Sequence, residues 1–331
     1  MVTIKDVAKL AGVSISTASY ALNNSNKVSE KTREKVLKAA KELNYIPNKF
    51  AQNLKKLRTD LIALIVHEIN GPFYDKLVQG ILDVAHILGY NLVIFCESGH
   101  GRPSSLVFLK EKIFNGAIIM TPVVSNDDIK ELVEENIPLV LLDRKLEEVN
   151  VCSVLIDNEK GAFEAVRHLI ELNHRKIGFI SGPPDSYDNK ERYKGFVKAM
   201  EKFGLKVYED LIIQGNFTEE SGYKAMKEFI SRKKGEMPTA FFSSNDEMAI
   251  GAMKALQEEG FKIPDHISIV GFDDINLAQY VQPKLTTVRR PMYELGSFSA
   301  HMLINTIKGR LKYSNITLDV ELILRESTRK V

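Results

Sequence analysis

Cysteine is scarce in this chain of 331 residues: Cys96 and Cys152 stand alone, with no second cysteine or histidine at metal-ligand spacing. That argues against a disulfide framework or a zinc site and leaves two reduced, packed thiols. No apolar run approaches the length needed to cross a bilayer. Residues 1–24 show helical periodicity with interspersed charges in place of a signal-like apolar stretch, so neither a membrane span nor an export leader is expected. The cytoplasm is the expected compartment. Catalytic signatures are missing as well. There is no G-x-S-x-G elbow and no Walker A loop, His67-Glu68 lacks the second histidine of a zinc helix, and Gly99-His100-Gly101 lacks the third glycine of a dinucleotide loop. The seven histidines show no recognisable nucleophile partner. No catalytic residue, cofactor or metal is therefore expected.

What the chain does have is unevenly placed. With 44% apolar residues, it can fill more than one hydrophobic core, and its length calls for two or three units. Residues 1–60 hold twelve Lys/Arg against five Asp/Glu, a net of +7, while residues 61–331 hold 33 against 38, a net of −5. A small basic head on an acidic body suits a polyanion-binding unit joined to a soluble regulatory or catalytic one, because phosphates attract any cationic surface regardless of sequence.

Within the head, Thr3 can cap a helix whose apolar positions Ile4, Val7, Ala8 and Ala11 recur at helical spacing, with Asp6 at the capping-box position and Gly12 as the stop. Ser14 opens a second helix that turns Ala18, Ala21 and Leu22 inward and leaves Ile15, Ser16, Thr17 and Tyr20 outward or leading. Two short helices joined by a glycine turn make a helix-turn-helix, whose second helix offers its leading side chains to the major groove of DNA. A third helix, from about Ser29 to Asn44, packs Val36, Ala39, Ala40 and Leu43 on the pair and keeps Lys31, Arg33, Lys35 and Lys38 wet.

The segments VTIKDVAKLAGVSISTASYALNN and VSEKTREKVLKAAKELNYIPNKFAQNL resemble the headpiece of the lac repressor/gal repressor family of bacterial transcription regulators, over about 55 consecutive positions. The resemblance implies base readout by Ile15, Ser16 and Tyr20, and phosphate contacts by Ser14, Thr17, Ser19, Asn23, Ser29 and Thr32. It also implies a hinge helix starting at Pro47 and Asn48 and passing through Ala51, with Leu54 wedged into a minor-groove base step. Such an apolar wedge costs a few kcal/mol of unstacking, offset by the extra surface that bent DNA contacts. One residue departs from the pattern: the family commonly carries arginine where this chain has Tyr20. Arginine discriminates guanine by about 1–3 kcal/mol, whereas a tyrosine offers one hydrogen bond or packs on a thymine methyl. The operator half-site is expected to differ there.

From Leu61 onward, β-rich runs alternate with helical stretches: 61–66, 91–95, 117–120, 138–143, 153–156, 176–181, 210–214, 239–243 and 267–271. Nearly continuous apolar strands separated by amphipathic helices specify parallel sheets with helices on both faces, and the count suggests two sheets. NDEMAIGAMKALQEEG, IPDHISIVGFDDI, PKLTTVRRP and ILREST resemble the two-lobed, periplasmic-binding-protein-like body of the same family. The implied architecture is a small all-α headpiece (1–47), a hinge and linker (48–59), and an α/β body. One lobe would comprise 60–158 with 291–318 and the other 159–290 with 319–331.

Open parallel sheets bind ligands at the carboxyl ends of their strands. Phe73, Tyr74, Asp143, Arg144, Asn245 and Asp273 fall at such ends and together suit a sugar-like or nucleobase-like effector, although singly Asn245 could tie a turn and Asp273 could cap a helix. The resemblance adds Arg192 and Phe217. Arg192 and Asp273 would be the polar anchors and Phe217 a ring wall. The expectation is a homodimer on pseudo-palindromic double-stranded DNA, with a small-molecule effector in the cleft. No heptad-repeat tail follows Arg329, so a coiled-coil tetramer is not expected. The alternative is a regulator controlled by a phosphorylated carrier protein on the QPKLTTVRRPMYELG surface, although a pair such as Arg289 and Arg290 is usually just solvated. A periplasmic receptor would need an export signal and no head, and a cleft hydrolase would turn over its ligand.

Overall fold

The computed structural model describes residues 2–23, 25–45, 59–67, 69, 74–98, 101–233 and 237–331. The hinge positions Asn48, Ala51 and Leu54, and the cleft candidate Phe73, lie outside the described residues. The chain divides into two units, Met1–Thr59 and Asp60–Val331.

Three helices build the first unit: α1 (Ile4–Ala11), α2 (Ile15–Leu22) and α3 (Glu30–Glu42). The Thr3 hydroxyl and N–H both donate to Asp6 Oδ2, at 2.7 and 2.8 Å, and Gly12 closes α1 in the left-handed region at φ 66°. Ser14 Oγ accepts from Thr17 N at 3.1 Å to start α2. The buried core is Val7, Ala8, Ala18, Ala21, Val36, Ala39 and Ala40. Five of these seven are alanine, which lets three short helices approach closely. Arg33 departs from its expected place in water. Its Nη2 donates to Ser25 O at 3.0 Å and its Nη1 to Glu30 at 3.1 Å, so it ties down the turn before α3.

In the second unit, the described residues form twelve strands in two sheets of six. The first sheet contains β1 (Leu61–Val66), β2 (Asn91–Cys96), β3 (Ala117–Met120), β4 (Leu139–Leu142), β5 (Cys152–Ile156) and, near the chain end, the Asn315–Leu318 strand. The second contains β6 (Ile177–Ser181), β7 (Ile212–Gln214), β8 (Ala240–Ser243), β9 (Ser268–Asp273), β10 (Thr286–Arg289) and the Glu321–Ile323 strand. Numbering the two late strands β11 and β12, the orders are β11-β5-β4-β3-β1-β2 and β12-β10-β9-β8-β6-β7. Every pairing is parallel except β10 with β12.

Both faces of each sheet are covered, as parallel sheets require. Alternate residues of β1 show how: Ile62, Leu64 and Val66 enter a core with the Asp75–Ile87 and Met292–Ile307 helices, while Ala63 and Ile65 enter another with the Ser104–Lys110 and Asn126–Glu134 helices. In the second sheet, Phe241 and Ile269 face the Glu219–Arg232 and Asp246–Glu258 helices, and Phe179, Phe242 and Val270 face Asn158–Glu171 and Tyr187–Lys202. The Asp75–Ile87 and Met292–Ile307 helices meet through glycine. A Cβ on Gly80 would collide with Tyr293 O, and one on Gly296 with Leu77 O.

The chain passes between the lobes at three places. It leaves the first sheet after β5, at Asp157, and returns after β10, at Arg290–Pro291. It crosses again at Asp319–Val320, between β11 and β12. Three strands, β10, β11 and β12, are absent from the apolar-run reading. The first buries threonines, Thr286 and Thr287, and the other two are short and half polar.

Candidate functional site

In the first unit, α2 holds Ile15 (46% exposed) and Tyr20 (42% exposed) at the surface, while Ala18 and Ala21 are buried behind them. Apolar and aromatic side chains kept out of a core this small are available for contact. The hydroxyls around them are ordered locally. Ser14 Oγ lies 2.8 Å from Thr17 Oγ1 and 3.3 Å from Ser16 Oγ; Ser29 Oγ lies 2.9 Å from Thr32 Oγ1; and Asn23 Nδ2 donates to Ser19 O at 2.9 Å. Ser14 and Ser29 are the N-caps of α2 and α3, so both sets of hydroxyls sit at helix N-termini, where the dipole and unpaired N–H groups attract anions. Lys27 Nζ stands 5.3 Å from the centre of the Tyr20 ring.

In the second unit, the polar residues at the strand ends converge on a buried ionic cluster. Asp143 follows β4 in the left-handed region at φ 50°, and Asp273 ends β9 at φ 115°. Arg192, 1% exposed on the Tyr187–Lys202 helix, donates Nε–H to Asn158 Oδ1 at 2.9 Å and Nη1 to Ser244 O. Its Nη2 lies 3.3 Å from Asp273 and 3.4 Å from Asp188, and its guanidinium stacks on Phe272 at 3.9 Å. The two anchors named from sequence thus hold each other.

Arg290 completes the cluster. It is buried, not solvated: Nη2 donates to both oxygens of Asp143 at 2.8 Å, and Nη1 reaches Asp188 at 3.2 Å and Asp273 at 3.6 Å. Arg289 turns the other way, to Asp274 at 2.7 Å. Burial pushes the Asp143 carboxyl up to about 6, with Arg290 only partly offsetting it, and burial also raises Asp273. Burial alone would lower Arg290, but Asp143, Asp188 and Asp273 outweigh it and hold the guanidinium above its ordinary range.

Not every candidate joins. Arg144 donates both Nη groups to Val124 O at 2.9 Å and one to Asn126 at 3.3 Å, away from the cluster. Asn245 caps the Asp246–Glu258 helix, accepting from Met248 N at 3.0 Å and donating to Phe217 O at 2.9 Å. That second bond fixes Phe217, at φ 71°, whose ring lies where a Cβ on Gly182 would be. Tyr74 precedes the Asp75–Ile87 helix and packs against the first lobe's core. Sequence reasoning missed Asp188, Asn158 and Ser244; the i,i+4 pairing of Asp188 with Arg192 was the available signal.

Beside the cluster, a partly open space of about 30 Å³ is lined by Asp75, Lys76, Asp274 and Arg290 among others, room for one or two water molecules. A roomier hollow of about 520 Å³ lies at the β7 edge and includes none of the cluster. Among the described residues, no group of His, Cys, Asp or Glu could hold a metal ion, and no helix is long and apolar enough to cross a membrane.

A helix-turn-helix on a separate basic unit, joined to two parallel α/β lobes closed over buried polar groups, defines a ligand-regulated DNA-binding class. Residues 3–48 match the model of bacterial regulatory proteins of the lacI family, and residues 166–328 match the periplasmic binding protein-like domain. The chain is 37% identical over 332 residues, 98% of each chain, to the HTH-type transcriptional regulator DegA of Bacillus subtilis (strain 168). Among solved structures, it resembles the lac repressor dimer bound to operator and the anti-inducer ONPF, with TM-score 0.85, 31% identity and 99% of each chain covered. It also resembles the transcriptional regulator CelR–cellobiose complex, with TM-score 0.75, 33% identity, and 99% of this chain and 100% of that one covered. This protein belongs to the lacI family of bacterial regulatory proteins.

Proposed function

We propose that the chain is a homodimeric transcriptional repressor: its headpieces read a pseudo-palindromic operator, and a small, sugar-like effector between its lobes sets operator affinity. The observation that carries this reading is the exposed face of α2, with Ile15 and Tyr20 outside and the α2 and α3 N-termini beside them, in a segment, residues 1–60, of net charge +7. Ile15, Ser16 and Tyr20 are assigned to base edges. Ser14, Thr17, Ser19, Asn23, Ser29 and Thr32 are assigned to phosphates, and Asn48, Ala51 and Leu54 to the hinge and minor groove. One headpiece reads few bases, so two are needed for useful discrimination among a genome's competing sites.

The body supplies the control. Its lobes are taken as 60–158 with 291–318 and 159–290 with 319–331. Phe73, Tyr74, Asp143, Arg144, Arg192, Phe217, Asn245 and Asp273 are the effector candidates, with Arg192 and Asp273 as anchors and Phe217 as a wall that Asn245 positions. Cellobiose in the CelR complex supports a sugar-like class. A phosphorylated carrier protein docking on Arg289 and Arg290 is disfavoured, because Arg290 is buried and both arginines are paired with aspartates.

The test is selection from a library of fragments of the organism's own chromosome, followed by titration across salt concentrations. The expected result is enrichment of a pseudo-palindrome bound with an affinity that falls steeply as salt rises. Absence of any enriched site, or binding that salt leaves unchanged, overturns the reading.

A further inference from the structure

Arg290 sits where the chain crosses from β10 into the Met292–Ile307 helix, and its guanidinium faces both lobes. On one side it grips Asp143, which follows β4 of the first sheet; on the other it reaches Asp188 and Asp273 of the second lobe. Arg192 differs: Ser244, Asp188 and Asp273 belong to the second lobe, and Asn158, the boundary residue at the first crossover, opens the Asn158–Glu171 helix that packs on the second sheet. Three carboxylates therefore surround two guanidiniums, and the guanidinium that spans the lobes is that of Arg290. Both arginine side chains are 2% exposed, so water screens this cluster weakly.

Closing the lobes brings Asp143 against Asp188 and Asp273. Like charges at such separations in a weakly hydrated site repel unless a cation stands between them. We propose that Arg290 is a built-in counterion whose charge lets the two lobes close, so that the balance between open and closed body follows the charge count at Asp143, Asp188, Asp273, Arg192 and Arg290. The inference rests on the body alone and uses neither the operator nor the effector reading, so each can fail without the other.

Arg290→Gln keeps a polar side chain and leaves three carboxylates with one guanidinium. Asp143→Asn added to it restores the original excess of a single negative charge. The experiment uses the full-length chain with spin labels on native Cys96 and on Lys224→Cys, both exposed and one in each lobe, while Cys152 is buried. Labelled protein is diluted with unlabelled protein so that pulsed EPR reads distances within one chain. Arg290→Gln is expected to add a longer-distance population, and the double variant to return the distribution to that of the parent. Asp143→Asn alone is expected to stay closed. An unchanged distribution in Arg290→Gln, or a double variant as open as the single one, overturns the proposal. Should Arg290→Gln not fold by circular dichroism, the double variant carries the test: with the parent's charge count it must fold and give the closed distance, and its failure is equally decisive.

Discussion

Every lysine described in the headpiece faces solvent, whereas the body holds two buried arginines against the buried Asp273 and the part-buried Asp143 and Asp188. The headpiece also exposes Ile15 and Tyr20 on a helix whose neighbouring hydroxyls bond among themselves. The body too exposes apolar side chains, but it hides even the Arg290 guanidinium. Exposed charge acts at long range and is weakened by salt, which suits capture of a polyanion; buried charge acts at short range and depends on partners, which suits a two-state device. One chain thus uses the same side-chain chemistry in two dielectric settings for two purposes.

That contrast can be broken first at Arg192. Arg192→Ala leaves Asp188 and Asp273 buried beside a lone Arg290, and the body should lose about 3–5 kcal/mol in urea unfolding, with no matching change in the headpiece. A loss under 1 kcal/mol would mean that the cluster opens readily to water.

The next largest effect concerns protons. Burial raises Asp143 to about 6, facing Arg290, Asp188, Arg192 and Tyr187, while an unfolded aspartate titrates near 3.9. The folded body therefore binds this proton more tightly. The stabilisation is complete below about pH 4 and is lost as pH rises through 6, amounting to at most about 3 kcal/mol. In urea midpoints measured between pH 5 and 7, the parent should lose stability relative to Asp143→Asn as pH rises. Parallel curves would show that Asp143 is ionised throughout.

Smaller effects belong to the headpiece. Ile15→Ala and Tyr20→Ala should each weaken binding to the selected operator by about 1–3 kcal/mol while leaving the urea midpoint nearly unmoved. Equal binding by parent and variant fluorescence anisotropy would remove these side chains from base readout. Thr3→Ala should cost about 1 kcal/mol of headpiece stability, read from its own thermal transition, because the α1 cap is lost.

Much of the fold was legible because each strand from β1 to β9 contains a nearly unbroken apolar run and the headpiece helices carry textual punctuation in Thr3, Asp6, Gly12 and Ser14. The remaining strands were not, since Thr286 and Thr287 are polar in sequence yet fully buried beside β9. Within the cleft, Arg192 and Asp273 stood out, but Arg290 did not. A pair of arginines before a proline reads as a solvated patch, and only the sheet topology reveals that the second one points inward between lobes. Arg144 shows the converse: its place after β4 promised convergence, and the carbonyl of Val124 drew it aside.

The three passages at Asp157, Arg290–Pro291 and Asp319–Val320 carry a last consequence. A body stitched together by a single tether could swivel in any direction, but three side-by-side tethers leave one easy rocking axis. Any push inside the cleft is therefore delivered along a fixed line. The same stitching means that no single cut in the gene can release either half intact: each half is interrupted by a segment of the other.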